Sequence, residues 1–212
     1  MLALIAALFT ASCSDDESWV PPYLTDFADL TTDTDGAIVS MTLDNGTKYD
    51  GSTFRCATGN DQSSMVKLSK DSLYRAICVY TVVHATATLY SYTMAFAPEP
   101  ITAEQLADGV VKTDPCIIQG IWRGGDYVNA RMLVQGKDKA HVVAFIDEGI
   151  VDNTLTIRLY HDQNGDMEAF TRTVYLSCPL RGYAGQLVRG RDSIAFVVNQ
   201  QDKGLTTYKL PY

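Results

Sequence analysis

Short stretches in which apolar side chains alternate with polar ones recur along this chain, and that period of two constrains the fold more than any other feature. Leu155, Ile157 and Leu159 alternate with Thr156, Arg158 and Tyr160, and Phe170, Val174, Leu176, Cys178 and Leu180 alternate with Thr171, Thr173, Tyr175 and Ser177. Successive side chains of a strand point to opposite faces, so each run buries one face and wets the other, as in an antiparallel sandwich. Ile194 to Val198 is continuously apolar and is expected to be covered on both sides. Tyr74 to Val83 and Thr86 to Phe96 are too rich in Val, Thr and Tyr for helices. Val39, Met41 and Leu43 alternate with Ser40 and Thr42 and run into Asp44-Asn45-Gly46, a turn that tolerates positive φ, so 37–49 reads as a hairpin. Helix is signalled at one place, the capping-box pattern Thr102-Ala-Glu-Gln105 between Pro98-Glu-Pro100 and Gly109.

The expected fold class is therefore all-β, in two units: residues 33–97 and residues 114–212, joined by a linker over 98–113 that carries the short helix. A chain of 212 residues with 46% hydrophobic and 20% charged side chains is long enough to bury one core or two. Residues 13–32 supply a tether and an entry strand. No internal repeat or low-complexity tract interrupts this order.

Residues 1–12 are read as a lipoprotein signal peptide. Met1 to Thr10 is apolar, Ala11 and Ser12 are small, and Cys13 follows, so the small residues mark a cleavage site and the cysteine is the lipid acceptor. Thr10 stands where Leu is usual and no base precedes the apolar run, so the start of translation is expected to lie a few residues upstream. The run is shorter than the roughly 18 to 20 residues that cross a bilayer as a helix. Ser14-Asp-Asp-Glu17 comes next and belongs in solvent, either as a plain linker or as an address: it resembles the export signal that sends lipoproteins of Bacteroidetes to the outer face of the outer membrane. Nine acids and one base up to Asp50 account for the whole net charge of -8, and 16 of each sign balance beyond it. That balance would repel a polyanion, so nucleic acid is excluded as a partner.

Six segments carry a family likeness. Ile121-Trp-Arg-Gly-Gly-Asp-Tyr-Val-Asn129, Gly136-Lys-Asp-Lys-Ala-His141, Leu159-Tyr-His-Asp-Gln-Asn-Gly-Asp166 and Val174-Tyr-Leu-Ser-Cys-Pro-Leu180 resemble the C-terminal half of NigD-like lipoproteins; Asp35-Gly-Ala-Ile-Val39 and Leu43-Asp-Asn-Gly46 are similar to their N-terminal half. The resemblance extends from about Val20 to Tyr212. It implies an OB-like β-barrel over 33–97 and a β-sandwich over 114–212 behind a lipid anchor with its palmitate, and it carries a suggested immunity role from a bacteriocin operon.

Candidate chemistry is sparse. Asp162-Gln-Asn-Gly-Asp166 spaces oxygens as a calcium loop does, but Met167 and Thr173 stand where an EF-hand needs Gly and Glu, so a tight turn is the expectation. His84, His141 and His161 sit on different strands with no paired ligand spacing, and no metal or other cofactor is expected. Cys56, Cys78, Cys116 and Cys178 admit two disulfides, with Cys56 to Cys78 and Cys116 to Cys178 the first guess, or free buried thiols, which the apolar phase of Cys78 and Cys178 favours. No GxSxG or SxxK motif is present. A loop over 181–191 places Arg181, Tyr183, Arg189 and Arg191 together, as a binding loop for an anionic glycan or a partner's carboxylates or as a solvated connection. Tyr74, Tyr80, Tyr90 and Tyr92 are read as core or near-core, with ligand stacking as the alternative. These readings lead to a lipid-anchored binding protein of the outer membrane, cell-surface exposed with the periplasmic face as the alternative, with a protein or glycan ligand and no enzymatic activity. The alternatives are a bacteriocin immunity lipoprotein and a structural subunit of an envelope complex.

Overall fold

The computed structural model describes residues 20–57 and 68–212. Cys13, the apolar run before it and the acidic stretch after it lie outside the described residues. Thirteen strands are formed among the described residues: β1 Leu24–Thr32, β2 Ile38–Leu43, β3 Lys48–Asp50, β4 Phe54–Cys56, β5 Leu73–Val83, β6 Thr86–Met94, β7 Ile117–Gly124, β8 Tyr127–Gly136, β9 Val142–Val151, β10 Thr154–Asp162, β11 Phe170–Pro179, β12 Ser193–Gln200 and β13 Gly204–Pro211. The expected junction helix is a single 3-10 turn, Ala103–Gln105, with Thr102 and Gln105 capping each other's backbone.

The first six strands form one sheet in the order β3-β2-β1-β5-β6-β4, curled into a nearly closed barrel. The entry strand β1 lies in its interior, antiparallel to both β2 and β5. Leu30, Met41, Tyr80 and Leu89 fill the barrel, and Tyr74 and Tyr92 pack half-buried against them. Tyr90 is open to solvent and meets Tyr23 edge-on at 5.0 Å. The β2–β3 turn is the expected one: Gly46 has φ 85° and Asn45 Oδ1 accepts the Thr47 N–H at 2.8 Å.

The remaining strands make a sandwich from a four-stranded sheet, β13-β12-β10-β9, and a three-stranded sheet, β11-β8-β7. Leu155, Ile157 and Leu159 point into its core with Phe145, Phe196 and Leu176, as their phase requires, and Ile194 and Ala195 to Val198 are all buried. One pair departs from the antiparallel expectation: β10 and β12 run parallel. The chain leaves β10 for β11 in the opposite sheet before it returns as β12, and such a crossover allows parallel pairing where a hairpin does not. Three side chains also depart from the alternation. Tyr160, read on the wet face of β10, is buried at 7% exposure. Phe170 is 64% exposed at the outer end of β11, whereas Ser177 is wholly buried because the barrel covers the face that would otherwise be wet.

Candidate functional site

Barrel and sandwich meet over a buried polar node centred on Arg75 of β5, whose side chain is 3% exposed. Its guanidinium donates to Asp29 Oδ1 at 3.2 Å, Asp44 Oδ1 at 2.5 Å, Asn129 Oδ1 at 3.1 Å and Ser177 Oγ at 3.1 Å. Asn129 and Ser177 come from β8 and β11, so one barrel side chain is bonded to two neighbouring strands of the small sandwich sheet. The ring is completed when Asn129 Nδ2 donates to Asp44 Oδ2 at 2.7 Å, Ser177 Oγ to Asn129 Oδ1 at 2.6 Å, and Tyr127 Oη to Asp29 Oδ2 at 3.2 Å. The Arg75 guanidinium lies 4.0 Å from the Tyr127 ring centre, a cation–π contact in a dry setting. Burial raises the Asp29 carboxyl above its ordinary value against the pull of Arg75, and burial next to Asp29 lifts Tyr127 to about 12.

The glycines of the 121–129 motif make this approach possible. A Cβ on Gly124 would stand 2.2 Å from Asp44 Oδ2 and 2.6 Å from Asn129 Nδ2, and Gly125, at φ 53°, turns against the Asp44 backbone. The Asp44-Asn45 turn therefore seats on Gly124-Gly125, and a cleft opens on either side of it. The first, about 390 Å³, is lined by Asp29, Asp44, Arg75, Asp126, Arg181 and Arg189. The second, about 480 Å³, is lined by Asp26, Phe27, Asn45, Tyr80, Trp122 and Arg123.

Of the four loop residues, Arg181 and Arg189 reach the first cleft. Arg181 pairs with Glu99 at 2.6 Å and Arg189 with Asp126, and all four side chains are more than half exposed. Exposed pairs of this kind contribute about 0 to 1 kcal/mol, so a ligand carboxylate can displace either acid. Arg191 turns instead to its neighbour Asp192, at 2.6 Å. Tyr183 is buried in the sandwich core with its hydroxyl on Asp147 at 2.9 Å, and that burial and bond raise its pKa.

His84 occupies the exposed β5–β6 turn, where both it and Ala85 have positive φ. The other two histidines, on different strands, are brought together. His161 Nδ1 donates to the Asp114 carbonyl at 2.9 Å, so its neutral ring offers Nε2 as acceptor to His141 Nδ1, 3.0 Å away. The ring centres are 5.2 Å apart, an excess over the nitrogen separation of about one imidazole radius at each end. The two nitrogens thus point along one line, as in a hydrogen bond, and not towards a shared ion. Burial lowers the His161 pKa. His141 Nε2 faces Asp166 Oδ2 at 3.5 Å. Burial works to raise the Asp166 carboxyl, but backbone N–H groups of Lys137, Asp138, Lys139 and Met167 outweigh it and hold the pKa at about 2. Gly136 is required here as well, since a Cβ would lie 2.5 Å from Asp166 Oδ2. In the 162–166 loop Lys139 Nζ donates to the carbonyls of Asn164 and Gly165 at 3.1 and 3.0 Å, Asp162 pairs with Lys112 at 2.7 Å, and Asp166 accepts backbone N–H groups. Among the described residues no three His, Cys, Asp or Glu side chains converge on a metal position.

Cys56, Cys78, Cys116 and Cys178 are free thiols, as the apolar phase of Cys78 and Cys178 favours. Burial pushes Cys116 up to about 11 and Cys78 up to about 12, and Cys178 higher still, so none is an activated nucleophile. The Arg75 node is the feature that sequence reasoning missed. Its available signals were an Asn within the apolar run Tyr127 to Ala130 and the paired glycines before it.

Comparison with known proteins gives a family match over the second unit and fold matches over most of the chain. The profile of the NigD-like C-terminal beta sandwich domain matches residues 97–212. A NigD-like immunity protein from Bacteroides caccae is 27% identical, with a TM-score of 0.69 over 90% of this chain and 93% of that one. A protein described as toxin-related from Parabacteroides distasonis, 16% identical, has a TM-score of 0.67 over 90% and 93%. A protein of unknown function from Bacteroides vulgatus, 18% identical, has 0.65 over 89% and 91%. The last two show the fold alone. No curated protein matches the chain.

Proposed function

The chain belongs to the NigD-like family, and from that premise we propose that it is a lipid-anchored cell-envelope binding protein without catalytic activity. In this reading Cys13 carries the lipid, the acidic stretch holds the two β units away from the outer membrane on the cell surface, and the partner is a protein or a glycan. The observation that carries it is the junction. A buried node joins barrel to sandwich, and two clefts open beside it with Arg181 and Arg189 on one rim. A binding surface needs such fixed walls and exchangeable charges at its edge. The reading without catalysis is supported by what the histidines and thiols do: His141 and His161 are committed to each other, and burial or partial burial raises the pKa of Cys56, Cys78, Cys116 and Cys178.

The test is to present the full chain, extracted in mild detergent, with a panel of envelope and extracellular glycans and secreted peptides. Saturable binding without turnover, weakened by Arg189→Glu, is the expected result. Turnover of any member, abolished by one carboxylate substitution, would overturn the reading. A second reading, self-protection against a bacteriocin, is favoured by the 27% identity to a NigD-like immunity protein. Deleting the protein should then raise sensitivity to a producer strain's toxin, and unchanged sensitivity would remove that reading.

A further inference from the structure

The three strands of the small sandwich sheet, β7, β8 and β11, carry no acid along their length. At the seam, Asn129 and Ser177 turn the outward face of this sheet to Arg75 of the barrel. One row farther along, Gly120 of β7 stands opposite Arg131 of β8, and Arg131 stands opposite Tyr175 of β11. Residues paired in this way share a face, so this whole row looks outward with Asn129 and Ser177 two positions on. Trp122, paired with Asn129, is on the same face. Its indole leans over the room that Gly120 leaves: a Cβ there would meet Cζ3 at 3.5 Å and Cε3 at 3.8 Å.

Two aromatic rings therefore flank one guanidinium. Trp122 is 38% exposed, Tyr175 is half-buried, and the exposed Arg131 holds its guanidinium 6.0 Å from the Tyr175 ring centre. Phe27 of the barrel braces both rings edge-on, the indole at 5.4 Å and Tyr175 at 6.1 Å. β7 and β11 lie on either side of β8, hence about 10 Å apart, which is more than a single sugar ring covers.

The polar groups at hand are of both kinds. Arg131 only donates, whereas Asp26, on the barrel wall of the cleft that Trp122 lines, only accepts and has one oxygen on the Tyr80 hydroxyl at 2.8 Å. An anion would meet Asp26 and Asp44 in that cleft, and a cation would meet Arg131. A hydroxyl both donates and accepts, and so suits the two together. The strand edges beside the rings are closed to an added peptide strand. The register of β7 shifts at Gln119, and on the other side Phe96 exchanges backbone hydrogen bonds with Tyr175 and Ser177 of β11.

We propose that this face binds a neutral saccharide chain of at least two units, one stacked on Trp122 and another on Tyr175, with hydroxyls bonded to Arg131 and Asp26. A sugar ring presents a C–H face to the aromatic plates and a rim of hydroxyls to the planar polar groups. The inference rests on the binding-protein reading above and names its ligand class.

The experiment titrates the full chain in detergent with linear oligomers of glucose, mannose and xylose, with each monosaccharide, with an oligogalacturonate and with an unstructured peptide of mixed composition. At least one neutral oligomer should bind, about tenfold or more tightly than its monosaccharide and without dependence on salt. Trp122→Ala and Tyr175→Ala should each weaken binding about tenfold, and Arg131→Met should weaken it severalfold. In a Trp19→Phe chain the remaining indole is Trp122, and its emission should change on binding. Thermal midpoints check that each variant is folded, and Trp122→Phe and Tyr175→Phe, which keep a ring, should restore part of the binding. Failure of all three neutral oligomers at millimolar concentration overturns the inference. So does a monosaccharide that binds as well as its oligomer, binding that ignores Trp122 and Tyr175, or an oligogalacturonate or peptide that binds more tightly at the same residues. If the chain instead binds a panel member in a way that depends only on Arg181 and Arg189, this inference falls while the binding-protein reading stands. No saturable binding to anything would sink both.

Discussion

Arg75 shows how a single side chain can decide an architecture. It is bonded to Asp29 and Asp44 from its own unit and to Asn129 and Ser177 from the other. Replacing it with Met would leave two carboxylates facing each other in the seam. Breaking one side of a buried pair costs about 3 to 5 kcal/mol, and because Asp29 and Asp44 keep 24% and 22% of their side-chain surface, the lower end applies. Arg75→Met should therefore lower the free energy of urea unfolding by about 3 kcal/mol. Arg75→Lys should recover only part of this, since an ammonium cannot serve four acceptors in the plane of a fork. A second expectation concerns pH. Burial holds the His161 pKa below its ordinary 6.5, so the unfolded chain takes up a proton there before the folded one does. Stability then falls as pH drops below 6.5. Asp166 works at lower pH: its contribution is whole above 3.8 and is lost between 3.8 and about 2. Asp29, raised by burial, has the opposite sign and gains as acid is added. Urea midpoints measured from pH 7.5 down to 5 should decline, and His161→Gln should flatten that decline. An unchanged slope would contradict the assignment of a neutral buried His161.

At the scale of elements, the strands were legible and their meeting was not. Leu155, Ile157 and Leu159 gave β10 and its inward face; Asp44-Asn45-Gly46 gave the first hairpin; Thr102 and Gln105 gave the capped turn at the junction. Each depends on residues a few positions apart. Ser177 was expected to be wet and Phe170 to be covered because the period of two reports which residues share a face and says nothing of what later covers it. The Arg75 node joins residues up to 102 positions apart, and no local pattern encodes such a pairing. The 121–129 motif was visible as a family likeness, and its physical reason appeared only in three dimensions, where Gly124 admits the Asp44 carboxylate. Gly124→Ala tests that reason. Its Cβ would meet a hydrogen-bonded carboxylate and amide that have no free direction to yield, so a loss of about 1 to 3 kcal/mol is expected by urea unfolding. Gly46→Ala, with nothing within 4 Å, should disturb its own turn through φ 85° and leave the seam intact. Hydrogen exchange at Asn129 and Ser177 distinguishes the two, rising in the first variant alone.

For the whole molecule, two β units joined by a buried hydrogen-bonded node make one body with charged side chains along the seam. Such a body is useful to a cell only where its ligand is, and the proposed function therefore turns on where the chain is held. The direct measurement is protease treatment of intact cells and of lysed cells, with detection of the protein in wild type and in a Cys13→Ala variant. The account expects wild type to be cleaved on intact cells and to partition with the outer membrane, and Cys13→Ala to leave the membrane fraction. Protection of wild type until lysis would contradict surface display and redirect the search to periplasmic partners. A wild-type protein that is soluble without detergent would contradict the lipid anchor itself.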